Sequence, residues 1–384
     1  MSKPHGPQER LRLEEAREGR LPWKKWGPYL SERQWGSVRE NVNLNIEAWN
    51  DVTHDQARSR AYHSGEDGIA GFCDENMLLC FALGLWNGKD AILKERMFGL
   101  TNSEGNHGED VKEYYFYLDS TPTHSYARML YKYPQSAYPY LGLLEENRRR
   151  SKEEFEFELM DTGVFDQNRY WDLFVEFAKA DPEDIQIKIT AVNRGPDAAS
   201  LHVLPQLWFR NTWWANAQAP RPELAAGQHG RCAVIAARHE KLGQRFLYCE
   251  GARAGAGAAG WELLFTDNET NNYRLWGQPN PTEFQKDGIN DYLVQGRRDA
   301  VNPARKGTKS AVHTLVDVGP GQSATLRLRL TGQPPAELAD PFGPFEQTFA
   351  DRKREADEFY AALLPASLSP DAASVIRQGY AGLL

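Results

Sequence analysis

Apolar and polar residues alternate along much of the chain, and the period changes near residue 335. Ile185, Ile187 and Ile189 alternate with Gln186, Lys188 and Thr190. A turn-like Asn193-Arg194-Gly195-Pro196-Asp197 follows, and Leu201, Val203, Leu207 and Phe209 resume the alternation. A period of two sends successive side chains to opposite faces of a strand, so the stretch predicts a hairpin with one buried face. A second hairpin is predicted by Thr314, Val316 and Val318, then Gly319-Pro320-Gly321-Gln322, then Ala324, Leu326, Leu328 and Leu330 set against Thr325, Arg327 and Arg329. Strand signals of this kind run from about Ser31 to Thr331, separated by Gly, Pro and Asn turns with no helix of βαβ length between them. The fold class expected is mainly β, a large antiparallel β-sandwich.

Helical spacing marks the two ends. Residues 9–20 mix Glu, Arg and Leu and predict a short charged helix, read as a leader. After Gly332-Gln333-Pro334-Pro335, the residues Phe345, Phe349, Ala356, Tyr360 and Leu363 fall on one helical stripe, which predicts a helix lying against the sandwich. Ser369 is a good N-cap, Pro370 suits the first helical position and Asp371 favours the helix dipole. Ala372, Ile376, Tyr380 and Leu383 then mark an apolar stripe with no partner in sequence. The organisation expected is a leader over 1–30, a sandwich over 31–335 and linker helices over 336–384.

Eleven tryptophans, sixteen tyrosines and seventeen phenylalanines suit a sandwich core and surfaces on which rings stack against sugars. The net charge is −8 and the basic residues are dispersed, so nucleic acid is not an expected partner. No run approaches the roughly 20 apolar residues that span a bilayer, and the amino terminus is charged, so the expectation is a cytoplasmic protein without a membrane partner. Cys73, Cys80, Cys232 and Cys249 lack the spacing of zinc or redox motifs and read as reduced, packed thiols. Asn268-Glu269-Thr270 matches a glycosylation sequon, which means little without a secretory signal.

The densest chemistry lies in LTNSEGNHGEDVKEYYFYLDSTPTHSYARMLYKYP, Leu100 to Pro134. Glu104, Asn106, His107, Glu109, Asp110 and Glu113 cluster around Gly105 and Gly108, which permit turns with positive φ. Tyr114 to Leu118 alternate like a strand from which such a loop would hang. Trp86, before a turn at Asn87-Gly88, reads as exposed, whereas Trp208 on an alternating strand reads as core. The substrate-binding candidates are therefore Glu104, Asn106, His107, Glu109, Asp110 and Trp86. A structural, solvated loop is the alternative, and so is catalysis by Glu104, Glu109 and Asp110, since a glycosidase needs two carboxyl groups at a set separation. Arg58 and Arg60 suggest a buried ion network. His54, Asp55, His63, His107, Glu109 and Asp110 show no fixed metal spacing, and no G-x-S-x-G elbow occurs, so neither a metal nor a serine nucleophile is expected. Gly255-Ala256-Gly257-Ala258-Ala259-Gly260 fits G-x-G-x-x-G by letter but is followed by a predicted strand at Trp261 to Phe265, so a hairpin loop is expected and no dinucleotide cofactor.

The Leu100 to Pro134 stretch, together with WGPYLSERQWGSVRE (Trp26 to Glu40), HDQARSRAYHSGEDGIAGF (His54 to Phe72), CFALGLWNGKD (Cys80 to Asp90) and PQLWFRNTWW (Pro205 to Trp214), resembles the amino-terminal part of bacterial proteins of glycoside hydrolase family 63, relatives of the glucosidase that trims oligosaccharides. The resemblance implies an inverting α-glycosidase without a cofactor, whose general acid and base sit on a carboxy-terminal (α/α)6 barrel. It implies that the chain stops where that barrel begins and carries no catalytic residue of its own. Its expected partners are an oligosaccharide or small glycoside and the barrel. The alternative is a stand-alone carbohydrate-binding or scaffold module.

Overall fold

The computed structural model describes residues 7–34, 53–63, 65–101, 104–107, 110–214, 216, 218–251 and 260–384. The expected loop at Gly255-Ala256-Gly257-Ala258-Ala259-Gly260 lies almost wholly outside them, as does Glu109. In chain order the strands are β1 (Trp26–Pro28), β2 (Ile69–Asp74), β3 (Leu79–Trp86), β4 (Gly99–Leu100), β5 (Asp110–Val111), β6 (Tyr114–Ser120), β7 (Tyr126–Pro134), β8 (Tyr170–Asp181) and β9 (Asp184–Asn193). They continue as β10 (Ala199–Phe209), β11 (Glu223–His229), β12 (Cys232–His239), β13 (Gly243–Cys249), β14 (Glu262–Thr266), β15 (Lys306–Gly307), β16 (Lys309–Val318) and β17 (Ser323–Thr331). The protein is mainly β, as expected. One sheet runs β1-β2-β3-β10-β16-β14 and a second runs β15-β11-β12-β13-β17-β9-β8-β7-β6, with β4-β5 a separate short ladder.

The two large sheets meet face to face. Phe72 of β2 stacks on Phe177 of β8 with ring centroids 4.5 Å apart, and Phe81 of β3 meets the same ring edge-on at 6.0 Å. The inward sets of both sheets, among them Ile185, Ile187, Ile189, Leu201, Val203, Leu207, Val316 and Leu328, form one buried cluster. Each strand's alternation thus delivers one side-chain set to a shared core.

Both predicted hairpins are corrected. β9 pairs with β8 and β17, whereas β10 pairs with β3 and β16 in the other sheet. β16 pairs with β10 and β14, whereas β17 pairs with β9 and β13. Each presumed turn is an arch that carries the chain across the core, so its two strands face each other through side chains instead of sharing a ladder. The arches are fastened together. Asn193 N–H donates to Gln322 O at 3.0 Å and Gly321 N–H to Asn193 O at 2.9 Å. The Asn193 side-chain amide donates to Asp197 O and Val318 O at 2.7 and 2.9 Å, and its Oδ1 accepts from Gln135 Nε2 at 2.7 Å and from Gly195 N at 2.8 Å.

Helices cover the outer face of the larger sheet. Helix Phe345–Leu363 seats Phe345, Phe349 and Ala356 against Tyr126, Ala178, Val234, Phe246 and Tyr248. This roof buries the polar alternates Arg327 and Arg329, and Arg329 is held by Asp184. The charged helix Gln8–Arg17 is docked on the fold. Its Glu9 accepts from Thr123 N and Oγ1 and from Ser125 Oγ at 2.6 to 2.8 Å, and Arg12 reaches Glu355 at 2.6 Å. Helix Pro370–Leu383 is capped by Ser369 as expected. It is pinned through Arg377 to Asp119 and Asp357, both at 2.7 Å, while Ile376, Tyr380 and Leu383 remain exposed.

Asn193 satisfies donors and acceptors on both arches that no apolar residue can replace. Asn193→Ala is therefore expected to cost about 2–3 kcal/mol in urea unfolding. A loss below about 0.5 kcal/mol, the scale of an indifferent surface change, would show that the arches hold without it.

Candidate functional site

The β4-β5 ladder, Gly99 opposite Val111 and Leu100 opposite Asp110, closes the base of the predicted loop, and β6 is the edge strand of the larger sheet. The loop's side chains largely turn inward. Glu104 is buried and accepts from Thr101 N and Oγ1, both at 3.1 Å. Asn106 is buried and donates to Ser151 O and Glu154 O at 3.0 and 2.9 Å. His107 is exposed and its Nε2 lies 2.8 Å from Glu154 O. Asp110, Glu156 and Glu158 surround Lys112 Nζ at 2.6, 2.5 and 2.8 Å. Their oxygens are close enough together to hold a cation, and an ammonium group already stands among them. Burial pulls the Lys112 pKa down, but its three carboxylate partners more than offset this and raise it.

Glu113 lies deeper. It accepts from Lys94 Nζ at 2.7 Å, Phe98 N at 2.9 Å and Tyr131 OH at 2.8 Å, and burial raises its pKa despite Lys94. Trp86 is half-buried, donating to Asp90 O at 3.0 Å with its ring tilted against His202 at 4.9 Å. Trp208 is buried as expected.

Lys94-Glu95-Arg96 joins this cluster to a larger one on the outer face of the six-stranded sheet. There Glu66, Asp67, Glu95, Arg96, Lys286 and Lys309 are all buried, three carboxylates against three cations. Asp67 pairs with Arg96 and Lys286; Lys309 Nζ donates to Glu95 at 2.7 Å, and Gln206 Nε2 donates to the same oxygen at 2.9 Å. Arg96 Nη2 also donates to Ala57 O at 3.0 Å, and Lys286 Nζ to Arg60 O at 2.5 Å. Burial raises the Glu66 pKa, with the Asp67 charge adding to it. Burial acts the same way on Asp67, but Arg96 and Lys286 outweigh it and hold that carboxyl below its usual range. The two neighbouring acids are thus pushed in opposite directions. Burial likewise lowers the pKa of Lys286.

Of the arginines expected in a buried ion network, Arg58 pairs with the exposed Asp55 at 3.1 Å, and the Arg60 carbonyl accepts from Lys286 Nζ. Of the residues missed, Lys309 opens the apolar strand β16, a weak signal in sequence, whereas Arg96 and Lys286 lie in connecting segments. Asn268, the sequon asparagine, has no exposure. Its amide donates to Tyr62 O and Phe209 O at 3.1 and 2.8 Å and it accepts from Tyr62 N at 2.8 Å, so it ties loops together and is inaccessible to a glycan. Trp213 donates to Glu269 at 2.7 Å, while Trp214 beside it and Tyr273 and Trp276 on the short helix Asn272–Trp276 are 72%, 72% and 58% exposed. Trp214 meets His63 edge-on at 6.0 Å. The site thus combines fixed charge beneath with large unburied rings around it.

No family model matches the chain. An uncharacterized protein of Saccharomyces cerevisiae is 40% identical over 409 aligned positions that take in 98% of this chain. The chain spans 38% of that relative's length. Among solved structures, a polysaccharide lyase aligns over 66% of this chain and 25% of its own at 11% identity and a TM-score of 0.30. A protein assigned as an aldose 1-epimerase of Escherichia coli K12 aligns over 72% of this chain and 81% of its own at 7% identity and a TM-score of 0.26. Superpositions this loose do not define a common fold. Among the described residues, no helix is long and apolar enough to cross a membrane.

Removing one member of a buried pair strands the other, at about 3–5 kcal/mol. Asp67→Asn is expected to cost that much in urea unfolding at pH 7. The Asp67 pKa is depressed by folding, so its stabilisation is present above the unfolded value near 3.8 and is lost as pH falls through the folded value. The penalty of Asp67→Asn should therefore shrink toward pH 3. A pH-independent penalty would show the loss to be one of packing.

Proposed function

We propose that this chain is a sandwich module of a cytoplasmic α-glycosidase similar to family 63. In this reading it shapes and covers a sugar site whose general acid and base are supplied by a downstream (α/α)6 barrel. Residues 31–335 act as the module and 336–384 as linking helices. The observation that supports this reading is the commitment of the acids. Inverting hydrolysis needs two carboxyl groups about 6.5–9.5 Å apart with a water between them. Glu104, Asp110 and Glu113 instead bond Thr101, Lys112 and Lys94, and Asp67 and Glu95 hold Arg96, Lys286 and Lys309. These acids serve the fold. Sugar contact from the predicted loop then rests on exposed His107, with Glu104 and Asn106 shaping the loop that presents it.

A second reading, a stand-alone carbohydrate-binding module, is favoured by the exposure of Trp214, Tyr273 and Trp276. Aromatic faces bind sugar without any acid–base pair.

The purified chain is expected to leave aryl α-glucosides and α-mannosides unhydrolysed, as followed by nitrophenolate release. It is expected to bind α-linked oligosaccharides with a change in tryptophan fluorescence that Trp214→Ala weakens. Sustained turnover removed by Asp110→Asn would make the loop catalytic and overturn the proposal; failure of every such oligosaccharide to bind would remove sugar contact from it.

A further inference from the structure

Where β10 leaves the six-stranded sheet and β12 turns into β13 in the other, an open cleft of about 540 Å³ lies between the two sheets. Its walls carry Arg210, Arg221, Arg238 and Lys241 against Glu223 and Glu240, an excess of positive charge in a chain of net charge −8. Arg221 is taken by Glu269 at 3.3 Å. Arg210, Arg238 and Lys241 make no ion pair with any described residue. Arg238 has Glu223 directly opposite it in the β11-β12 ladder and still stands apart from it. Arg210 Nε is buried with no acceptor among the described residues.

The cleft is braced. His239 stacks on Phe209 at 5.5 Å, across the two sheets, and its Nδ1 accepts from Lys241 N at 3.0 Å, which fixes the turn carrying that lysine. Burial lowers the His239 pKa, so the ring contributes shape and no charge at neutral pH.

We propose that this cleft binds a small organic anion, a carboxylate or phosphate borne on a body of sugar size. Guanidinium groups present forks of donors that match the two oxygens of either anion, and an ammonium adds a point charge. The volume falls within the roughly 300–1,000 Å³ of small-molecule sites. The inference is independent of the glycosidase reading, since it concerns different residues and needs no barrel.

The test is calorimetric titration of the purified chain, at low salt, with glucuronate, with a glucose phosphate and with glucose. At least one anion is expected to bind while glucose is silent, and which one binds separates the carboxylate from the phosphate. Added salt should weaken binding, and Arg210→Gln with Arg238→Gln should weaken it about tenfold or more. If that pair of changes lowers the melting temperature, Lys241→Gln in the exposed turn serves instead and must weaken binding at unchanged melting temperature. Silence from both anions, equal binding of glucose, or undiminished binding by the variant that stays folded would each overturn the proposal.

Discussion

Pairing of buried ionisable groups is the constraint on which the outer half of this protein depends. Glu66 and Asp67 precede β2, Glu95 and Arg96 follow β3, Lys286 comes from the segment after β14, and Lys309 opens β16. None of these segments can move off the sheet without leaving a counter-charge in a poorly solvated place, which is far costlier than losing an apolar contact. The segment from β14 to Lys286, which carries Tyr273 and Trp276 on the short helix Asn272–Trp276, is therefore held in part by charge. The same device recurs where Lys94 and Lys112 gather Glu113, Asp110, Glu156 and Glu158.

That economy bears on function. An acid held by a lysine and a backbone amide has its geometry and charge set for support. What the described surface leaves uncommitted are rings and a few cations. Both are binding groups, which fits a module that holds a polar ligand while other residues do the chemistry.

Strand existence and inward faces were legible because period-two alternation reflects burial, which each strand carries in its own residues: Ile185, Ile187 and Ile189 are all buried, as are Leu326, Leu328 and Leu330. Strand partners were not legible. Asn193 to Asp197 and Gly319 to Gln322 have turn chemistry, but turn chemistry does not distinguish a hairpin from an arch when both strands bury one face. The site was read at half depth for a similar reason. Glu104 and Asn106 look like displayed ligand groups in sequence, and their inward bonds to Thr101, Ser151 and Glu154 depend on a fold of the loop that spacing does not report. Lys286 pairs with Asp67 across more than half the chain, beyond the reach of any local pattern.

The arches also bear on how the chain reaches this state. β10 finds Trp86 opposite His202 on one side and Leu315 opposite His202 on the other, partners distant in sequence, so much of the ladder forms only after long loops close. Topologies dominated by such pairings fold on slow timescales. Meanwhile Ile185 to Ile189 and Leu201 to Phe209 offer the unfolded chain a nearby hairpin with a fully apolar face, cheaper in loop entropy than the native pairing. The bond from the Asn193 side chain to Val318 on the opposite arch rewards the crossing, and a local hairpin cannot form it. It therefore acts as a selector of topology as well as a staple.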